Sequence, residues 1–74
     1  MYPKSLMDLI EYFKKFPGIG EKTAERLAFS VLNFDDDEVN DFSNALCNVK
    51  TNVKPCTICG TLTENNVCFI CNDN

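Results

Sequence analysis

The sequence predicts a small, mainly α-helical fold: three short helices followed by a cysteine-bearing hairpin. Three observations carry this. Apolar residues recur at helical spacing in three stretches between residues 4 and 50. The first two stretches are separated by the turn "FPGIG", residues 16 to 20. From Lys54 onward the helical period stops, and four of the five cysteines fall in two C-x2-C pairs.

In the first stretch, Leu6, Leu9, Ile10 and Phe13 make one apolar stripe, predicting a helix over residues 4–15, with Pro3 well placed at its start. The turn ends it, because Pro17 disfavours helical geometry at Phe16 and donates no backbone hydrogen bond itself. A second helix is expected over residues 21–33, with Ala24, Leu27, Ala28, Val31 and Leu32 on one face and Lys22 and Arg26 opposite, one turn apart. Phe29 projects near them, to pack on the third helix or a neighbouring subunit, or to stack on a base.

The acidic run "DDDE" opens a third helix to about Lys50, striped by Val39, Phe42, Leu46 and Val49. Asp35 and Glu38 have capping-box spacing, and acids suit a helix N-terminus. "KPCTICGTLTENNVCFICNDN" then reads as two cysteine turns joined by a hairpin, with turn-formers in "ENN". The expected division is residues 1–53 for the helices and 54–74 for the cysteine module.

A chain of 74 residues buries a small core and often needs a metal or disulfides as a staple. Its 45% hydrophobic content suits a globular chain. No apolar run approaches the roughly 20 residues of a membrane span, and the start has no signal-peptide plan, so a cytoplasmic protein is expected. The net charge of −4 opposes strong nucleic-acid binding by the chain taken together. The charge is uneven, however. Residues 1–34 hold five cations against four acids, for +1; residues 35–74 hold two against seven, for −5.

Cys56 with Cys59, and Cys68 with Cys71, offer two pairs of thiolates that a hairpin brings face to face. Zinc takes four ligands in a tetrahedron, and in a reducing compartment this pattern points to one zinc before disulfides, with an iron–sulfur cluster as the alternative. Four cysteines close the shell and leave no position for water or substrate, so the role is structural, supplying folding energy that about 20 residues otherwise lack. Gly60 is expected to turn the chain where a side chain would crowd the metal. Cys47 is expected to be a small, partly buried thiol without chemistry.

The turn before the second helix poses a different question. The first amides of a helix have no internal acceptor, and with the helix dipole they favour an anion. Gly18 and Gly20 allow positive φ and close approach to those amides; Ile19 between them anchors the turn in the core. Lys22 and Arg26 add charge, Lys14 and Lys15 flank the site, and Glu21 opposes it. A tight connection between two helices, with no ligand, also explains the glycines.

The pattern apolar-P-G-I-G-x-K-T-A opening a helix resembles the helix-hairpin-helix motif. Followed by "RLAF", an acid-capped helix and C-x2-C-x8-C-x2-C, nearly the full chain resembles the N-terminal part of the RecR family of bacterial recombination mediators. The resemblance implies a helix-hairpin-helix three-helix unit, residues 1–53, and a four-cysteine zinc finger, residues 54–74. It implies recombinational DNA repair without catalysis and sequence-independent DNA binding. Gly18, Ile19 and Gly20 would form the hairpin; Lys22 and Arg26, with Lys14 and Lys15, would be the basic contacts; Cys56, Cys59, Cys68 and Cys71 would hold one structural zinc. It further implies RecO, and often RecF, as partners in helping RecA replace single-strand binding protein, and self-association into a dimer or ring. Relatives often carry an uncharged residue where Glu21 stands. They also continue into a Toprim domain and a C-terminal tail, so this chain is read as a fragment.

Two other functions compete with DNA binding. The helices could serve mainly as an oligomerisation module, as the acidic total and the outward Phe29 suggest. An enzyme is the third class: in bacterial NAD-dependent ligases a four-cysteine zinc site precedes hairpins of this type, the reverse of the order here. The chain has no histidine, no lysine in a nucleophilic setting and no open metal position, so catalysis is not expected.

Overall fold

The computed structural model describes residues 1–72. Its elements are α1 (Lys4–Phe13), α2 (Glu21–Val31), α3 (Asp36–Asn52), β1 (Lys54–Pro55), β2 (Leu62–Thr63) and the single turn α4 (Phe69–Asn72). The chain forms two compact units, Met1–Val39 and a second from Asn40 onward, with the boundary inside α3. The fold is mainly helical, and a helical hairpin precedes a two-stranded cysteine hairpin.

In the first unit α1 and α2 pack on each other around Ile10, Ala24 and Ala28. Ile10 is 4% exposed and both alanines are 0% exposed. The alanines replace bulk by proximity: with only a methyl group on that face, α2 approaches α1 closely. Leu6, Leu9, Phe13 and Ile19 close around this centre. Of the expected α2 stripe, Leu27 and Leu32 stay exposed. α1 ends two residues earlier than its pattern suggests, in a turn where Lys15 N–H donates to Tyr12 O and Phe16 N–H to Phe13 O.

α3 begins as the acids predict. Glu38 N–H donates to Asp35 Oδ1 at 2.8 Å, and Asp35 N–H meets Glu38 Oε1 at a long 3.5 Å. The box is therefore half closed, with one strong bond. No residue of α3 is buried. Among the described residues, no helix is long and apolar enough to cross a membrane.

In the second unit β1 and β2 pair antiparallel, Lys54 opposite Thr63 and Pro55 opposite Leu62. Pro55 is tolerated because a two-stranded ribbon has only edges. Cys56 and Cys68 are its buried residues, each 4% exposed. So small a sheet has no core of its own beyond its sulfur atoms.

Candidate metal centre and nucleic-acid interface

The ribbon brings the two cysteine pairs together. The Sγ atoms of Cys56, Cys59, Cys68 and Cys71 all lie within 4.8 Å of one another. Four sulfurs about 2.3 Å from one ion stand roughly 3.8 Å apart at the corners of a tetrahedron. Cys59 and Cys68 are already at 3.7 Å. The set fits one metal ion, and its four sulfur donors suit zinc.

Backbone geometry prepares the first pair. Gly60 N–H donates to Cys56 O at 3.0 Å, closing the turn, and Gly60 takes φ of +83°. Among the protein atoms a Cβ at Gly60 would meet nothing within 4 Å, so the positive φ is what calls for glycine in this turn. The amides of Ile58 and Cys68 each approach Cys56 Sγ at 3.4 Å, and Thr61 Oγ1 lies 3.2 Å from Cys59 Sγ. Thr57 N–H to Asn66 O, at 2.9 Å, and Cys56 N–H to Thr61 O, at 2.7 Å, tie the turn to the following chain.

These bonds set the charge of the sulfurs. Backbone N–H groups, first that of Cys59 and then that of Cys68, draw the Cys56 thiol down to about 6. The Thr61 hydroxyl is the main cause lowering Cys59. Cys71 is pushed up to about 12, chiefly by its hydrogen bond with Cys59 and then Cys68. The hydrogen bonds thus favour negative charge at Cys56 and Cys59 and disfavour it at Cys71. Neither Thr61 nor the Ile58 amide was read from sequence as part of the centre; a hydroxyl two residues after a ligand was the available signal.

Cys47 is not among the four, and it is exposed where a partly buried position was expected. It lies on α3, which buries no residue.

At the hairpin, Phe16 to Ile19 form a turn with Pro17 second and Gly18 third. Gly18 takes φ of +79°, and Ile19 N–H donates to Phe16 O at 3.2 Å. That is the residue plan of a type II turn, which requires positive φ at its third position. Ile19 packs against the Ile10–Ala24–Ala28 centre, so the turn is tethered through its side chain. Its own amide is used within the turn.

Gly20 differs from expectation. It is the N-cap of α2 with φ −92° and ψ −175°, extended backbone open to any residue, and an added Cβ would meet nothing within 4 Å. Neither local conformation nor internal space demands glycine there. Its carbonyl accepts the first helical bond, from Ala24 N–H at 2.9 Å. Among the described residues, the amides of Gly18, Gly20, Glu21, Lys22 and Thr23 have no backbone acceptor, and no side chain caps the helix.

Charge around these amides is sorted by pairing. Lys22 and Arg26 have no ion pair among the described residues. Lys15 Nζ lies 5.1 Å from the centre of the Tyr12 ring. Lys14, by contrast, sits 2.7 Å from Glu21 Oε2 and 3.1 Å from Glu11 Oε2. Its charge is held more firmly than usual, first by Glu21 and then by Glu11. Phe29 meets Tyr2 edge to face, with centroids 5.3 Å apart at 84°. The N-terminal segment supplies this ring partner, one that the helical pattern did not contain.

Comparison with known proteins agrees with both halves of the chain. Residues 6–50 match the family model for the RecR helix-hairpin-helix, and residues 53–73 match that for the RecR four-cysteine zinc finger domain. Over 72 residues the sequence is 49% identical to recombination protein RecR of Staphylococcus aureus strains JH9 and Newman. The match covers 97% of this chain and 36% of each relative, so the chain spans little more than a third of their length.

Proposed function

Because the chain belongs to the RecR family of recombination proteins, we propose that its hairpin is a non-enzymatic, sequence-independent clamp for the DNA backbone. The observation that carries this reading is a row of amides, from Gly20 to Thr23, without backbone acceptors beside two cations, Lys22 and Arg26, without carboxylate partners among the described residues. Phosphate oxygens satisfy both sets at once. Gly18 shapes the turn, Ile19 anchors it, and Gly20 keeps the approach open. Lys14 and Lys15 flank the socket. No base edge is addressed, so affinity tracks phosphate number and salt rather than sequence.

On this reading the zinc finger is a scaffold. Cys56, Cys59, Cys68 and Cys71 would hold the zinc, which would supply the cohesion that the ribbon's small core lacks. On the same reading the protein works in recombinational repair in the cytoplasm, with RecO, and often RecF, as the partners that the family resemblance implies. The test is fluorescence anisotropy with labelled oligonucleotides of unrelated sequence, using the zinc-loaded chain at several salt concentrations. Lys22→Ala and Arg26→Ala each weaken binding to every sequence and flatten the slope of log K against log salt by roughly 0.7–0.9. Unchanged affinity in both variants would sink the clamp.

A second reading is assembly into a dimer or ring. Leu46 and Val49, one turn apart on α3, are 56% and 62% exposed, apolar side chains of the kind that a second copy covers. Light scattering over a range of concentrations tests it: Leu46→Glu lowers the mass of an assembled species and leaves a monomer unchanged.

A further inference from the structure

The hairpin carries a carboxylate where an anion-binding socket is least helped by one. Glu21 is the first residue of α2, directly before Lys22 and Thr23, whose amides lack backbone acceptors among the described residues. A carboxylate in the first helical turn gains by approaching those amides itself, since the helix dipole favours it there. In the structure it is held elsewhere. Glu21 Oε2 is 2.7 Å from Lys14 Nζ, in the one ion pair between the ends of α1 and α2 among the described residues. Glu11 Oε2 approaches the same ammonium at 3.1 Å. Lys14 therefore faces two carboxylates and has no surplus charge for a third anion, whereas its neighbour Lys15 has no ion pair among the described residues and rests over Tyr12.

Resting on the DNA-backbone reading above, we propose that Lys14 is a positioning residue. Its ammonium holds the Glu21 carboxylate at the end of α1 and so keeps it off the amides of Lys22 and Thr23, while Lys15, Lys22 and Arg26 supply the charge that phosphate meets. The two adjacent lysines, equivalent in sequence, have different tasks. Glu21 is a built-in competitor for the socket, and Lys14 is the group that restrains it.

A double-mutant cycle separates this role from direct contact, using anisotropy on the zinc-loaded chain with an unlabelled competitor. Lys14→Ala weakens binding about two- to fivefold, the scale of an exposed ion pair. Glu21→Gln tightens binding, and in its presence Lys14→Ala has no further effect. Lys14→Arg preserves the wild-type level. Equal losses from Lys14→Ala in both backgrounds overturn the proposal, as does no loss at all while Lys22→Ala still weakens binding. If neither Lys22→Ala nor Arg26→Ala has an effect, the DNA reading fails instead, and the free protein decides the role of Lys14. Amide resonances of Lys22 and Thr23 that move in Lys14→Ala and return in Lys14→Ala/Glu21→Gln uphold the restraint. Resonances that stay still end it.

Discussion

The sulfurs of Cys59 and Cys68 stand 3.7 Å apart, although nine positions separate them in sequence. The rest of the second unit is sparsely organised: its sheet has two residues on each strand, and its buried residues are Cys56 and Cys68. Removing the metal with a tight chelator should therefore unfold the ribbon while α1 and α2 keep their packing around Ile10. Amide spectra check this. Resonances from 54 to 72 collapse, those from 4 to 31 persist, and elemental analysis of the loaded chain gives one zinc. Loss of both sets together would contradict the division. Cys68→Ser, at a buried ligand, should reproduce the chelated state.

Acidification acts through the same sulfurs. With the ribbon folded, backbone N–H groups draw Cys56 down to about 6 from its ordinary 9.0. Between those values the folded chain binds fewer protons than the unfolded one, so folding weakens as pH falls through that window. Cys71 works in the opposite sense: held up to about 12, it costs stability as pH rises from 9.0 towards that value. Holding zinc through four thiolates would require thiol protons to be released, so affinity should drop at least about tenfold per pH unit on acidification from neutrality. Competition with a chromophoric chelator measures this; a flat profile is the contrary result.

The two hairpin glycines should respond differently to substitution. Gly18→Ala places a side chain at φ of +79° and should cost about 1–2 kcal/mol in chemical denaturation. Gly20→Ser occupies an extended N-cap with open space around it, and its hydroxyl caps the amide of Lys22 or Thr23. That variant should be as stable as the parent or a few tenths of a kcal/mol more so. It should nevertheless bind DNA more weakly, because a side chain now uses the amides that phosphate needs. Equal or tighter DNA binding by Gly20→Ser would argue against the open socket.

The Tyr2–Phe29 pair makes a separate structural prediction. An edge-to-face contact at 5.3 Å contributes about 0.5–1.5 kcal/mol beyond burial. Tyr2→Ala and Phe29→Ala should each destabilise the first unit, and the double variant should lose less than the two together. Strict additivity in thermal melts would show that the rings act independently.

Much of this protein was legible in one dimension. The stripe through Leu6, Leu9, Ile10 and Phe13, the Asp35–Glu38 box and the turn at Pro17–Gly18 are local matters, decided by periodicity and backbone preference, and each appears where the residues predict it. The four metal ligands were equally plain, because C-x2-C turns carry their geometry within four residues. What the chain order did not contain is which groups meet across the turn. Only the folded hairpin pairs Lys14 with Glu21 and leaves Lys22 and Arg26 free of carboxylates among the described residues. Only folding brings Tyr2 to Phe29, and places Ala24 and Ala28, rather than Leu27 and Leu32, at the centre. The reason is physical. Local preferences select each helix and turn, but the close approach of two helices selects the residues with least bulk, and the same approach decides which opposite charges come within bonding distance.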